Sequence, residues 1–193
     1  MSKNESYFSG EKYNLKAKKL GYRSRAAFKL IDINKKENIL RKNLNIIDLG
    51  SAPGGWSQVV SKELNGTGSI IAIDILDMPK IKDVKFIKSD LREFDQNKLN
   101  QPIDVVISDI APNISGVRFI DDTNMIDLLE IELSIVDKTL VNGGNFLAKC
   151  FEGSSLNFLS KEIKKRFKAM KRLKPDSSRK ISKEIYLLGL NKN

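Results

Sequence analysis

The chain has 193 residues and a net charge of +10, and 40% of its residues are hydrophobic. This length and composition suffice for one domain with a single core. With no histidine and one cysteine, the chain cannot build a cysteine and histidine zinc centre or a Ser-His-Asp triad, and we expect no metal site.

Short apolar runs alternate with amphipathic stretches, which is typical of βαβ units. Helices are predicted at residues 24–36, 55–64, 122–140 and 156–166, with Ser24 as the first N-cap and Asn142-Gly143-Gly144 ending the long helix. Strands are predicted at residues 45–50, 69–74, 84–88, 103–109, 144–151, 167–173 and 184–190. The first strands are apolar throughout, as in parallel sheets covered on both faces. We therefore predict an α/β fold with a Rossmann-like, doubly wound, mostly parallel seven-stranded sheet.

The basic charge is concentrated at the two ends of the chain. Residues 1–42 hold 12 Lys and Arg against 4 Asp and Glu, and residues 161–193 hold 12 against 3, whereas the middle of the chain is acidic. A basic extension at residues 1–21 is therefore expected to precede a single domain at 22–193. Residues 1–20 and 174–183 should be the least structured. This charge pattern favours contact with a polyanion such as RNA, although the lysine-rich ends could also be solvated segments only.

Nothing in the sequence resembles a membrane span or a secretory signal. No apolar run approaches the ~18 residues that cross a bilayer, and the first twenty residues include Glu5 and Glu11 without an apolar block. We expect a soluble monomer in the cytoplasm, with a mitochondrion or other organelle as the alternative.

Ionisable residues end four of the predicted strands. Asp48, Asp74, Asp109 and Lys149 lie at or near the carboxyl ends, where open α/β sheets bind their ligands. A short loop after the sixth strand would make the last strand antiparallel and bring its first residue, Glu184, to the same edge. These side chains should share one crevice, although each one alone could be an ordinary solvated residue.

The turn after the first strand reads DLGSAPGGW, at residues 48–56. It lacks both the Gly-Lys-Ser/Thr ending of a P-loop and a GxGxxG pattern. Its glycines still allow close approach of a ligand, and Asp74 is placed to accept hydrogen bonds from ribose hydroxyls. S-adenosylmethionine contains adenosine without phosphate, and its sulfonium suits an acidic pocket lined by Asp48, Asp90 and Asp109.

Five motifs in order resemble the FtsJ/RrmJ family of ribosomal RNA large-subunit 2′-O-methyltransferases. They are RSRAAFKL, DLGSAPGGWSQ, SDIAPNISG, LAKCFEG and KPDSSRKISKEIY, and the likeness extends from about Tyr22 to Leu190. It implies a class I methyltransferase fold with an antiparallel last strand. It also implies S-adenosylmethionine as the donor and a uridine ribose of large-subunit ribosomal RNA as the acceptor.

The resemblance also assigns roles to individual residues. It implies a catalytic tetrad of Lys29, Asp109, Lys149 and Glu184, with Lys149 as general base. Residues expected to contact the donor are Gly50, Ser51, Gly54, Gly55, Trp56, Asp74, Asp90 and Asp109. Residues expected to contact RNA are Arg23, Arg25, Arg179, Lys180 and Lys183.

Several alternatives remain open at this point. The substrate could be transfer RNA or a messenger RNA cap, and the protein could be a ribosome-assembly factor that binds RNA without catalysis. A nicotinamide oxidoreductase is disfavoured by the turn at residues 48–56. Taken alone, Trp56 is more often a core residue than a ligand contact, and Cys150 is expected to be a buried apolar residue. Phe8, Tyr13 and Tyr22 could stack on RNA bases or pack on the domain.

Overall fold

A computed structural model describes residues 3–99, 101–178 and 181–193. These residues form one seven-stranded sheet with the order β3-β2-β1-β4-β5-β7-β6. Strands β1 to β5 pair in parallel, and β7 lies antiparallel to both β5 and β6. The predicted fold class and the antiparallel last strand are confirmed. The strands are β1 (Asn45–Leu49), β2 (Ser69–Asp74), β3 (Lys85–Lys88), β4 (Ile103–Ser108), β5 (Leu140–Phe151), β6 (Phe167–Leu173) and β7 (Glu184–Lys192).

Helices cover both faces of the sheet. Because side chains alternate along a strand, neighbouring residues of β1 lie in different layers of the core. Ile46 belongs to the layer under α2 and α3, and Ile47 to the layer under α4 and α5. The five helices described are α1 (Lys3–Lys19), α2 (Ala26–Glu37), α3 (Gly55–Leu64), α4 (Arg118–Thr139) and α5 (Ser154–Arg166).

The N-terminal segment differs from the prediction, since residues expected to be among the least structured form helix α1. Contacts with α2 hold it in place: the Tyr13 ring lies 5.5 Å from that of Phe28, and the Lys16 ammonium lies 4.8 Å from the centre of the Phe28 ring. Tyr22 packs on the same ring at 5.7 Å. The contacts that hold α1 are thus made with a residue of α2, outside the helix itself. Tyr13 and Tyr22 pack on the domain, which was one of the two alternatives for them.

Two predicted boundaries are also wrong. The N-cap of α2 is Arg25 and no side chain caps the helix, while the backbone carbonyl of Ser24 accepts a bond from the Ala27 N–H. Asn142-Gly143-Gly144 lies inside β5, which begins directly after α4. The pairing of β4 with β5 shifts between Ile103 and Val105, so β5 accommodates extra residues there as an irregularity.

None of the helices in the described part of the chain is both long and apolar enough to cross a bilayer.

Candidate active site

Four charged side chains meet at the carboxyl edge of the sheet. Asp109 directly follows β4, Lys149 lies near the end of β5, and Lys29 projects from α2. Glu184 begins β7 and pairs with Phe151, the last residue of β5, because β7 runs antiparallel to β5. The sheet topology thus brings together residues up to 155 positions apart in the chain.

The Asp109 carboxylate links the two amines. Its Oδ1 lies 3.1 Å from Lys149 Nζ and 3.9 Å from Lys29 Nζ. Lys29 Nζ also donates to Glu184 Oε2 at 3.0 Å, and Lys149 Nζ donates to the backbone oxygen of Asp109 at 2.6 Å. The convergence expected from the strand order is therefore present, as one connected network. Lys149 is 6% exposed.

Electrostatics in the network favour the ionised form of Glu184. Burial by itself raises the pKa of Glu184, but the Lys29 ammonium and its hydrogen bond, together with Lys149 and a hydrogen bond from Ser182, hold that pKa below its ordinary value. In this geometry the carboxylates fix the directions of the two amines. Lys29 and Lys149 thus have defined positions before any substrate arrives.

Tyr186 is a member of the site that the sequence analysis missed. Its hydroxyl donates to Asp109 Oδ1 at 2.5 Å, and its ring lies under Lys29 Nζ at 5.7 Å. Burial, followed by the neighbouring Asp109, raises the pKa of Tyr186 well above its ordinary value, so the hydroxyl stays a donor. One signal was available: Tyr186 is two residues after Glu184, and positions two apart on a strand share a face.

A cleft of about 560 Å³ lies next to the network, at the ends of β1, β2 and β4. Asp74, Asp90 and Asp109 are among its lining residues, together with Gly50. Asp74 accepts hydrogen bonds from the backbone N–H groups of Ala52 and Leu76, both at 2.8 Å. These bonds aim the Asp74 carboxylate and leave lone pairs on both of its oxygens for a ligand.

Comparison with known proteins agrees with this architecture. A model of the FtsJ-like methyltransferase family matches residues 22–192. The chain belongs to this family. It is 43% identical to the ribosomal RNA large subunit methyltransferase E of Nitrosospira multiformis over 182 residues, which are 91% of this chain and 88% of that protein. The enzyme of the same name from Stenotrophomonas maltophilia is 41% identical over 183 residues, which are 92% of this chain and 87% of the relative.

Solved structures place the FtsJ-like chain among methyltransferases as well. A ribosomal RNA methyltransferase from Plasmodium falciparum superposes with a TM-score of 0.79 at 31% identity, covering 89% of this chain and 98% of that one. Aeropyrum pernix fibrillarin, solved with natively bound S-adenosyl-L-methionine, superposes with a TM-score of 0.62 at 17% identity over 88% of this chain and 75% of fibrillarin. The second likeness concerns the fold alone.

The turn of this FtsJ-like methyltransferase does not present all of its predicted donor contacts to the cleft. Ser51, Gly54, Gly55 and Trp56 lie outside the lining. Trp56 is buried, its Nε1 donates to the backbone oxygen of Ala26 at 2.9 Å, and its ring lies 5.8 Å from that of Tyr186. The Trp56 side chain therefore packs between α2 and β7, behind the tetrad.

At Gly50, close approach of a neighbouring side chain requires glycine. Its φ is +65°, and a Cβ there would lie 2.0 Å from Ile110 Cγ1. Any side chain would thus displace Ile110, which lines the cleft.

Asp48 does not line the cleft, contrary to the expected acidic pocket. It is 1% exposed and accepts a hydrogen bond from Ser57 Oγ at 2.6 Å. Burial raises the pKa of Asp48 to about 7, against the lowering effect of that bond. Asp48 belongs to the apolar run IIDL of a buried strand, which explains why it lies inside the domain.

A second buried carboxyl, Glu132 on α4, was not predicted. It is fully buried, and its Oε1 accepts a hydrogen bond from Ser108 Oγ at 2.7 Å. Within the described residues, its Oε2 has no partner. Burial raises the pKa of Glu132 to about 8, so the acid form predominates at neutral pH.

The predicted RNA contacts have different surroundings. The Arg23 guanidinium donates to the backbone oxygens of Pro53, Pro79 and Lys80, at 3.2, 2.6 and 2.9 Å. Arg23 thus ties the turn after β1 to the segment after β2, a structural role that the sequence did not predict. Arg25 occupies the N-cap position of α2 and is partly buried, whereas Lys183 is exposed. Arg179 and Lys180 lie outside the described residues.

In the described ranges, no three His, Cys, Asp or Glu side chains lie close enough together to hold a metal ion. Cys150 is buried in the core, and burial raises the pKa of its thiol to about 12. The expectation that Cys150 is a packed apolar residue is confirmed.

Proposed function

We propose that this FtsJ-like methyltransferase transfers a methyl group from S-adenosylmethionine to the ribose 2′-hydroxyl of a uridine in large-subunit ribosomal RNA. The carrying observation is the partly buried Asp109 carboxylate, which joins the Lys29 and Lys149 amines at the edge of a ligand-sized cleft. Large-subunit ribosomal RNA is the substrate class in the names of its bacterial relatives.

The residues of the cleft suit S-adenosylmethionine. The volume of the cleft falls in the range of pockets that bind small molecules, about 300–1,000 Å³. Asp74 and Asp90 would accept hydrogen bonds from ribose hydroxyls and the adenine edge, and apolar residues such as Leu91 and Ile110 flank them. Asp109 offers a negative charge where a sulfonium is favourable. When bound, S-adenosylmethionine supplies an electrophilic methyl group and a thioether leaving group.

Lys149 has the position to take the proton of the attacking hydroxyl. As general base, Lys149 Nζ would accept the hydroxyl proton while the ribose oxygen attacks the methyl group of the donor. Asp109 orients Lys149 through two contacts and then stabilises the ammonium. Lys29, held by Glu184, keeps a positive charge near the reacting hydroxyl.

Two physical effects share the rate enhancement. Fixing hydroxyl and methyl group in line can supply roughly 7–11 kcal/mol of the barrier. A positioned base adds about 10²–10⁴-fold. The pre-ordered tetrad serves both effects, since its side chains are already held by one another.

The test uses labelled donor and separated ribosomal subunits, followed by mapping of the methylated ribose. Lys149→Ala should lower transfer at least about 100-fold while binding of donor and RNA remains. Lys149→Arg keeps an ion pair with Asp109 but cannot become neutral, so it should also be inactive. Lys161→Ala, an exposed lysine of α5, is the matched control.

Other outcomes would redirect the proposal. Methylation of transfer RNA or capped RNA in place of ribosomal RNA would change the substrate. RNA binding with no methyl transfer to any substrate would identify an assembly factor. The monomeric state and the cytoplasmic location stay predictions, to be measured by light scattering and cell fractionation.

A further inference from the structure

A group of exposed apolar side chains lies just beyond the cleft. We call residues 114–120, between β4 and the first turn of α4, the apolar rim. Phe119 is 80% exposed, Ile114 61%, Val117 53% and Ile120 46%. Such a cluster is unusual on a surface in contact with water only, and it marks a binding surface more often than scattered apolar residues do.

The apolar rim is held in a defined conformation. The Asp121 carboxylate accepts bonds from the Ser115 N–H and hydroxyl, both at 2.7 Å, and from the Gly116 N–H at 3.2 Å. Asp122 accepts a bond from Ser154 Oγ at 3.1 Å. The apolar side chains are therefore presented by an anchored loop and helix start.

Its position relates it to the tetrad. Ile110 and Asn113, directly before the rim, line the cleft, and Ile114 is five residues from Asp109, at most about 18 Å along an extended chain. The rim also adjoins the end of β5, since a Cβ at Gly153 would lie 3.5 Å from the Arg118 guanidinium. It thus lies beside the ends of the strands that carry Asp109 and Lys149.

We propose that the apolar rim is a stacking platform for unpaired bases of the RNA strand next to the methylated ribose, with Phe119 as its central ring. The proposal rests on the proposed function, because it needs RNA at the tetrad. A 2′-hydroxyl that reaches Lys149 brings its neighbouring nucleotides to this edge. Every base has an apolar face that stacks on an aromatic ring without sequence preference.

Exposed cations lie on the rim and beside it. Arg118 precedes Phe119 in the chain, and its side chain is 78% exposed. Arg172, on the strand that follows α5, is 52% exposed and pairs with Glu152, whose N–H donates to the backbone oxygen of exposed Lys183. Glu152 directly precedes Gly153, which adjoins Arg118, so both cations lie beside the rim. Aromatic and apolar side chains flanked by cations are typical of single-stranded nucleic-acid sites.

The first test measures affinity for a single-stranded RNA oligonucleotide. Phe119→Ala should weaken it about tenfold, within the range of stacking losses on alanine substitution, and should leave affinity for a duplex of the same sequence unchanged. Phe119→Trp should restore it, and RNA should quench the new indole, since the native Trp56 is buried. Leu15→Ala, which removes an exposed apolar side chain of α1, is the control and should have no effect.

The second test follows methyl transfer to large ribosomal subunits. Phe119→Ala should raise KM for the subunit about tenfold, with kcat at saturation within about twofold and donor affinity unchanged. An unchanged oligonucleotide affinity would overturn the platform, whether transfer is normal or impaired. If KM alone rises, the rim contacts a ribosomal protein. If the wild type methylates no RNA, the proposed function fails, and the oligonucleotide test still decides the platform.

Discussion

Replacing the buried Glu132 with glutamine should make the protein more stable at neutral and alkaline pH. Glu132→Gln keeps the size of the side chain and an oxygen that accepts the bond from Ser108 Oγ. Glutamine does not ionise, so the variant lacks the titration of Glu132. In the wild type the folded state holds this carboxyl as an acid, with a pKa of about 8 against an ordinary value of 4.5.

The size of the effect follows from this difference in pKa. The folded chain binds more protons than the unfolded chain between these two values, so the stabilising contribution is complete below pH 4.5 and is lost as pH rises through 8. One pKa unit corresponds to about 1.4 kcal/mol. The free energy of unfolding changes less steeply with pH near each of the two pKa values. Between pH 5 and pH 8 the wild type should therefore lose about 3 kcal/mol of that free energy relative to Glu132→Gln.

Urea unfolding of both proteins at several pH values measures this difference in free energy, and thermal unfolding measures it as a difference in Tm. At pH 8 the variant should melt about 6–12 °C higher, relative to its offset at pH 5, for a domain of this size. Asp48, whose pKa is also raised, is present in both proteins, so its contribution cancels. Glu130→Gln on the exposed side of α4 tests whether loss of any acidic side chain there has the same effect. A difference between Glu132→Gln and the wild type that does not change with pH would refute the buried-acid argument.

Three further substitutions test the site. Tyr186→Phe removes the bond to Asp109 and should lower kcat about tenfold or more, since a hydrogen bond to a charged group contributes about 1.5–3 kcal/mol; donor affinity in calorimetry should not change, and a normal kcat would contradict the role. Asp74→Ala should weaken S-adenosylmethionine binding about tenfold or more for the same reason, and unaltered calorimetric affinity would remove Asp74 from the donor site. Trp56→Phe loses the bond to the Ala26 carbonyl and should lower the free energy of unfolding by about 1 kcal/mol at constant donor affinity; a large loss of affinity would make Trp56 a ligand contact.

The sequence was sufficient for the parts of the molecule that depend on local pattern and strand order. Continuous apolar runs predict parallel strands because both faces of such a sheet are buried. Once the order of elements is known, the ends of parallel strands must meet at one edge. That rule brings Asp109 next to Lys149, and the short loop before Glu184 brings the last strand back to them.

Other features depend on partners distant in the chain, and no local pattern encodes them. Helix α1 packs against Phe28 through Tyr13. Most of the stability of a helix in a protein comes from such tertiary packing and not from propensity. Arg23 lies in a basic motif like any RNA contact, yet three carbonyls brought together by folding bind its guanidinium.

The buried acids show the same limit. Asp48 and Glu132 are ordinary carboxylates in the sequence, and only the packed layers around them remove water and raise their pKa. The sequence therefore determined the kind of fold and which charged residues share its edge, because periodicity and topology are read along the chain. Tertiary structure alone decided how each of those charges is hydrated and paired, because burial depends on neighbours that the chain brings together only when folded.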